Sequence, residues 1–207
     1  MNAARFYNLL SPGERHMTIF CLMATLAALT SVLPTQARAQ TSPITSSGLN
    51  TQVSVPATLP SGQVQYTITG GIRPSGGTNL FHSFGEFGIP TNNIANFLNE
   101  TALPTSNILG RVTGGNPSSL LGTIDTLSYG GAYLFLMNPA GIIFGPNATL
   151  NVGGSVTFTT ANYLRLTDPG IFHADLTTAS VLTSAPVAAF GFLGSTPGTI
   201  TVQGSNL

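Results

Sequence analysis

Short runs of apolar residues, separated by glycine and proline, recur along the chain from about residue 50 onwards. The runs are rich in β-branched and aromatic residues, and several of them alternate apolar and polar positions with a period of two. This alternation is typical of half-buried β-strands, so the pattern predicts an all-β domain of short strands. The clearest runs are 64–68, 133–137, 142–144, 149–152 and 156–159.

Paired glycines divide these runs and indicate turns between the strands. Gly153-Gly154 follows Gly130-Gly131 after 23 residues, and two or three predicted strands lie between the pairs. A step of this size suits one coil of a parallel β-helix, a solenoid in which every coil adds one strand to each face. A β-sandwich would show a similar alternation of threonine and glycine, and it remains the alternative fold.

One segment has the spacing of a helix. Ile94, Phe97 and Leu98 fall at positions i, i+3 and i+4 of residues 92–100, and Thr91 precedes them as a candidate N-cap. The pattern predicts a short helix over this segment.

Residues 1–39 have the features of a secretory signal peptide. Arginine and histidine come first, residues 17–33 are uncharged and apolar, and Pro34 ends the apolar stretch. The small residues Ala37 and Ala39 precede Gln40 in the pattern of a cleavage site. A membrane anchor is the rival interpretation, since 17 apolar residues lie near the lower limit for a membrane span. The predicted domains are therefore a signal peptide at 1–39 and a secreted domain at 40–207.

Charge and cysteine are scarce. The chain has six Lys+Arg, six Asp+Glu and one cysteine in 207 residues. The composition argues against a nucleic-acid-binding protein, because the sequence has no cluster of basic residues that could neutralise phosphates. The single cysteine, Cys21, belongs to the predicted signal, so the secreted part contains no thiol. Such a chain cannot be locked by oxidation in the periplasm and stays able to cross a second membrane unfolded.

Candidate catalytic groups are few, and we predict neither a cofactor nor a metal. His173 and Asp175 lie two residues apart, which would place both on one face of a strand as a base and its partner. An exposed polar pair in a loop is the simpler interpretation. His82, between aromatic residues, is predicted to be a half-buried packing residue. A carbohydrate-active β-helix enzyme would require at least two carboxylates in one groove, drawn from Glu86, Asp125, Asp168 and Asp175.

A succession of motifs resembles a known family. The order and content of these segments resemble the N-terminal secretion domain of filamentous-haemagglutinin-like exoproteins, the passengers of two-partner secretion. The resemblance covers about residues 44–168. It is carried by 79–87 (NLFHSFGEF), 110–119 (GRVTGGNPSS), 121–125 (LGTID), 132–145 (AYLFLMNPAGIIFG) and 150–156 (LNVGGSV).

The family's Asn-Pro-Asn-Gly-Ile motif matches Asn138, Pro139, Ala140, Gly141 and Ile142, with alanine in place of the second asparagine. Proline restricts the residue before it and glycine permits a tight turn, so the motif is either a turn between coils or a site read by the transporter. Gly114, Gly115, Asn116 and Pro117 form a secondary motif. The family's upstream Asn-Pro-Asn-Leu signature has no match, and Asn96-Phe-Leu-Asn99 occupies roughly that region.

The resemblance implies a right-handed parallel β-helix with capping strands at its N-terminus. It also implies a partner, an outer-membrane β-barrel transporter with periplasmic polypeptide-binding domains, reached after export through the Sec translocon. The expected location is the cell surface or the medium, by way of the periplasm. β-Augmentation between a strand of the passenger and a strand edge of the transporter is the expected mode of binding.

Two other functions remain open. A free-standing adhesin would bind host or cell-surface glycans through the solenoid face, and an enzyme would use the carboxylates named above. The strand-like alternation at 200–202 suggests that a further coil begins there, so we expect the chain to be a fragment of a longer exoprotein.

Overall fold

The computed structural model describes residues 43–205 and 207, and nearly all of the regular structure in this part is β-strand. The predicted signal peptide at residues 1–39 lies outside the described part. The predicted cleavage residues Ala37, Ala39 and Gln40 lie outside it as well. Two short 3₁₀ turns, Pro74–Gly76 and Leu127–Tyr129, interrupt the strands. The strands are β1 (Ile44–Gly48), β2 (Thr51–Val53), β3 (Ala57–Thr58), β4 (Val64–Gly70), β5 (Asn79–Phe87), β6 (Asn93–Phe97), β7 (Asn107–Val112), β8 (Ser118–Leu120), β9 (Thr123–Asp125), β10 (Tyr133–Met137), β11 (Ile142–Phe144), β12 (Thr149–Asn151), β13 (Val156–Thr159), β14 (Tyr163–Leu166), β15 (Ile171–His173), β16 (Val187–Gly191) and β17 (Ile200–Val202).

Three parallel sheets wind into a β-solenoid of about three turns. Sheet A contains β5, β7, β10 and β13, sheet B contains β4, β6, β9 and β12, and sheet C contains β8, β11 and β17. In the two coils that begin at β7 and at β10, the chain passes from sheet A to sheet C to sheet B and then returns to sheet A. The predicted parallel β-helix is therefore confirmed, and the β-sandwich alternative is wrong.

The coil from β10 to β13 is close in length to the glycine spacing, whereas the two coils before it are longer, with sheet-A steps of 26 and 28 residues (Ile108 to Leu134 and Leu80 to Ile108). In sheet A, Leu134 of β10 pairs with Val156 of β13, which comes 22 residues later. The two glycine pairs stack at the same corner of successive coils. A Cβ atom built on Gly153 would lie 2.1 Å from the carbonyl oxygen of Gly130, so the backbones approach too closely for any side chain.

Replacing Gly153 with alanine is expected to lower the free energy of unfolding by about 1–3 kcal/mol, the usual effect of overpacking. The physical reason is a collision with main-chain atoms, which cannot move aside as a flexible side chain can. Urea unfolding followed by circular dichroism measures the effect. The matched control is Gly131→Ala, because a Cβ there meets nothing within 4 Å and the residue has no positive φ. Equal unfolding midpoints for the two variants would contradict the stacking argument.

Antiparallel strands close the N-terminal end of the solenoid. β1 pairs antiparallel with β5 at the edge of sheet A, and β2 and β3 pair antiparallel with β4 at the edge of sheet B. The expected capping strands are therefore present. They occupy edges that would otherwise leave unpaired backbone groups at this end.

A three-stranded antiparallel sheet, which we call the hairpin sheet, interrupts the last coil. It consists of β14, β15 and β16 and lies between β13 and β17 in the chain. Its apolar residues pack on the outer face of sheet A and form a second core, separate from the solenoid lumen. Sheet A is therefore buried on both faces, which explains why most residues of β5 are buried without alternation.

The predicted helix at residues 92–100 is wrong. Residues 93–97 form β6, which lies between β4 and β9 with parallel pairing on both sides. Ala95 and Phe97 point inward with a period of two, and both are fully buried, whereas Leu98 is 39% exposed. Backbone hydrogen bonds to two neighbouring coils outweigh the weak helical spacing of three apolar residues.

Alternating residues of sheet A face the two cores. Leu80, Ile108 and Leu134 stack in the lumen, whereas Phe81 and Leu109 face the hairpin sheet.

Within residues 43–205 and 207, the chain forms no helix with the length and apolar character needed to cross a membrane.

Candidate functional site

The Asn138–Ile142 motif forms the corner where the chain leaves sheet A at the end of β10 and enters sheet C at β11. Asn138 is 1% exposed. Its side-chain amide donates hydrogen bonds to the carbonyl oxygen of Asn116 (3.0 Å) and to Oγ of Ser118 (2.9 Å). Its Oδ1 accepts a hydrogen bond from the main-chain N–H of Ala140 (3.0 Å). The Asn138 side chain therefore both closes its own turn and ties that turn to the preceding coil.

Main-chain hydrogen bonds connect this turn to the coil before it and to the coil after it. The N–H of Gly141 donates to the carbonyl oxygen of Asn138 (3.1 Å), and the carbonyl oxygen of Gly141 accepts from the N–H of Ser118 (3.0 Å). The N–H of Ile142 donates to the carbonyl oxygen of Thr199 on the following coil (2.9 Å). Gly141 has a φ of 124°, which explains the need for glycine at this position.

The secondary motif lies directly beneath the first, one coil earlier. Asn116 provides the carbonyl oxygen that Asn138 binds, and its own side-chain amide donates to Oε1 of Glu86 (2.8 Å). A Cβ on Gly114 would lie 2.2 Å from the carbonyl oxygen of Gly85, and Gly115 has a φ of 80°. The structure thus brings the two predicted motifs into contact, although they are more than 20 residues apart in the chain.

A third turn, which the sequence did not indicate, completes the stack. Gly198 lies against the Asn138–Ile142 turn, and a Cβ there would be 2.4 Å from the carbonyl oxygen of Pro139. The order of proline, glycine and an alternating strand at 197–202 is the signal that could have revealed it, since 139–144 has a similar order. We call the three turns at 114–118, 138–142 and 197–200 the stacked-turn corner.

The outer surface of this corner is partly open. Residues 114–117 are exposed and residues 139 and 140 are half-buried, whereas Asn138 is covered. A cavity of about 250 Å³ lies between the corner and the hairpin sheet. Its wall includes Thr113, Ala140, Asn162 and Asp175. In the folded domain, a partner would therefore touch residues 114–117, Pro139 and Ala140 rather than the amide of Asn138.

His173 and Asp175 are not arranged as a base and its partner. β15 ends at His173, and Asp175 lies in the following turn. Both carboxylate oxygens of Asp175 accept hydrogen bonds from Thr177, one from its main-chain N–H (2.8 Å) and one from its hydroxyl (2.7 Å). These hydrogen bonds lower the pKa of Asp175. The interpretation as an exposed polar pair in a loop fits Asp175, which is exposed after the strand, but it is wrong for His173, which is half-buried on β15.

The remaining candidate carboxylates each have a local structural partner. Oδ2 of Asp125 accepts a hydrogen bond from Asn151 on the next coil (2.5 Å), and Oδ1 of Asp168 accepts from the Thr183 hydroxyl (2.9 Å). Within the described part of the chain, no three His, Cys, Asp or Glu side chains are placed to share a metal ion.

His82 is fully buried, so its prediction as a half-buried residue is wrong. It lies in the lumen next to the rings of Phe84 and Phe97, with centroid distances of 5.9 Å and 5.7 Å. Burial in this apolar environment lowers its pKa to about 3.

Arg111 joins the solenoid to the hairpin sheet. It is 6% exposed, and its Nε donates to Oγ of Ser83 on the neighbouring coil (2.8 Å). Its Nη1 donates to the carbonyl oxygen of His173 (2.6 Å), and its guanidinium carbon lies 5.1 Å from the ring centroid of Phe172. Burial lowers its pKa.

The comparison with protein families accounts for this architecture. A family model described as TPS secretion domain matches residues 39–207. The chain belongs to the TPS secretion domain family. No curated protein matches the chain. TPS secretion domains target exoproteins of two-partner secretion for export across the outer membrane, and the family is a transport-targeting one rather than a catalytic one.

Proposed function

We propose that this TPS secretion domain is recognised in the periplasm, before it folds, by an outer-membrane β-barrel transporter with periplasmic polypeptide-binding domains. In this proposal the chain reaches the periplasm through the Sec translocon and folds as a β-helix at the cell surface. The observation that carries the proposal is the family match over residues 39–207.

The pairing of the inner strands supports recognition before folding, whereas in the described part of the chain β12 and β13 each pair on one side only. β7 is hydrogen-bonded to β5 on one side and to β10 on the other, so the folded domain leaves it no free edge. β9 is likewise enclosed by β6 and β12. An unfolded chain still offers the backbone groups of these strands, and β-augmentation on the transporter would use them.

The stacked-turn corner supports a role for the motifs in folding. The hydrogen bonds from Asn138 to Asn116 and Ser118 form only when two successive coils have stacked. Coils that stack outside the barrel would therefore resist return through the pore. The periplasm has no nucleotide triphosphate to drive export, so this folding bias is a suitable driving force.

Co-expression of the chain with its partner barrel tests the proposal. We expect the chain in the medium when the barrel is present and in the periplasm when it is not. A matched control is the same barrel without its periplasmic polypeptide-binding domains, which should also leave the chain in the periplasm. Equal amounts in the medium with and without the barrel would refute recognition by the transporter.

An adhesive role is a second candidate, supported by exposed aromatic residues on the hairpin sheet and directly after it. Phe190 is 37% exposed and Phe192 is 51% exposed. Exposed apolar surface often marks an interaction site. Binding of the purified chain on a glycan array, lost in Phe192→Ala, would support this role, and the absence of any bound glycan would count against it.

A further inference from the structure

His82 is a polar, titratable side chain enclosed within the apolar lumen. It lies on β5 between Leu80 and Phe84, two residues of the interior core, and its side chain has no exposed surface. The paired residue on the next coil is Gly110. The other histidine in the described part of the chain, His173, is half-buried on the hairpin sheet.

The hydrogen bonds around His82 favour a neutral ring. Nδ1 lies 3.3 Å from Oγ1 of Thr51, a residue of the capping strand β2. That oxygen also accepts the main-chain N–H of Ser83 (2.9 Å). In the neutral ring, Nδ1 and Oγ1 share one hydrogen bond, and the tautomer decides which of the two donates. Nε2 is buried and has no hydrogen-bond partner.

The charged groups near His82 disfavour a positive charge on its imidazole ring. Arg73, in the connection between β4 and β5, adds electrostatic repulsion to the effect of burial. β2 and β6 contribute no ionisable side chain, and Arg111 of β7 lies on the outer face of sheet A. Glu100 and Tyr129 line a cavity of about 210 Å³ together with Arg73. On the β5 strand itself, Glu86 is bound to Asn116.

We propose that His82 makes closure of the N-terminal cap dependent on pH: the cap closes over a neutral imidazole, and acid opens it. Protonation would make both ring nitrogens donors, which leaves the Nε2–H of a charged ring buried without a partner beside Thr51 of the cap. It would also place a charge without a counterion between two aromatic rings, at the end of the lumen that β2 covers.

The sign follows from the two states of the chain. The unfolded chain binds a proton at the ordinary pKa of 6.5, whereas the folded chain stays neutral until about pH 3. The contribution of His82 to stability is therefore complete above pH 6.5 and is lost progressively as the pH falls from 6.5 towards 3. Over this range the ratio of folded to unfolded chain should fall by up to about tenfold for each pH unit.

Urea unfolding of the full chain between pH 7.5 and 4.5 tests the proposal, with circular dichroism as the signal. We expect the unfolding midpoint of the wild type to fall with pH, and the midpoint of His82→Phe to fall much less. His173→Gln is the matched control and should keep the wild-type slope. An unchanged slope in His82→Phe would overturn the proposal.

A second measurement needs no substitution in the lumen and serves if His82→Phe does not fold. The imidazole Cε1 resonances of the wild type are followed by NMR over the same range, with His16→Gln and His173→Gln used for assignment because the chain has three histidines. We expect the His82 resonance to remain that of a neutral ring down to pH 4.5. A His82 titration with a midpoint above pH 5.5 in the folded chain would overturn the proposal.

Discussion

Replacing Asn138 with alanine is expected to lower the free energy of unfolding by about 3 kcal/mol, since three polar groups, one in a buried and two in part-buried hydrogen bonds, lose their partner. The groups are the carbonyl oxygen of Asn116, Oγ of Ser118 and the N–H of Ala140. Two of them belong to the preceding coil, so the loss weakens the contact between coils as well as the turn. Urea unfolding at pH 7.5 measures the effect.

Two further variants define the origin of this effect. Asn138→Asp keeps the acceptor for Ala140 but has no amide to donate, and we expect it to be at least as destabilised as Asn138→Ala. Asn147→Ala is the matched control, because Asn147 is an exposed residue in the turn between β11 and β12. It should change stability by less than about 0.5 kcal/mol. A stable Asn138→Asp variant would contradict the role assigned to the amide.

The amount of secreted chain distinguishes a motif that only shapes the fold from one that the transporter also binds. Leu136→Ala truncates a lumen residue that is 1% exposed, and it should destabilise the domain by about 2–5 kcal/mol without touching the corner. If the stacked-turn corner affects export only by stabilising the fold, this variant and Asn138→Ala should be secreted in equally reduced amounts when they are equally destabilised. A larger loss for Asn138→Ala would indicate direct recognition.

The all-β solenoid was predictable because its signals are local. Coils repeat the same corner, so glycine must recur wherever backbones stack, and the pairs at 130–131 and 153–154 show this spacing directly. The alternation in β10 and β13 was equally clear, since each has neighbours that bury one set of side chains in the lumen. These features can be recognised in short segments of the sequence, without knowledge of which distant strands pair.

What the sequence did not reveal depends on contacts between distant residues. The sequences of β14, β15 and β16 resemble those of the other short strands. No pattern of residues within them indicates that they leave the coil and pair antiparallel. The segment at 92–100 has a helical spacing of three apolar residues, but the hydrogen bonds from β4 and β9 decide its structure. His82 has aromatic neighbours in sequence, whereas its burial depends on β2, about 30 residues earlier.

The site was predictable in its residues but not in its arrangement. Proline and glycine identified the turns at 114–117 and 138–142, because each residue type restricts or permits a specific backbone conformation. The stacking of these turns follows from the coil register, in which Ile142 pairs with Ser118. Only this register shows that Asn138 and Asn116 are partners and that the asparagine amide faces inward.

Replacing Arg111 with alanine is expected to lower the free energy of unfolding by about 3 kcal/mol and to loosen the hairpin sheet, because packing and hydrogen bonds are lost together. The guanidinium contacts Ser83 on the solenoid, and His173 and Phe172 on the hairpin sheet. Arg111→Lys should restore little, since one ammonium group cannot reach both sides as a planar guanidinium does. Limited proteolysis in the exposed residues 175–179, alongside urea unfolding, measures the loosening.

Arg165→Ala is the matched control for this prediction, because Arg165 lies on β14 of the same sheet but is exposed. It should leave both proteolysis and stability close to those of the wild type, within about 0.5 kcal/mol. The hairpin sheet lies in the chain between β13 and β17, where the chain returns to sheet C. Normal proteolysis in Arg111→Ala would show that the apolar second core alone holds the hairpin sheet. Faster cleavage would show that the buried arginine fixes the hairpin sheet to sheet A, through its contacts with Ser83 on one side and with His173 and Phe172 on the other.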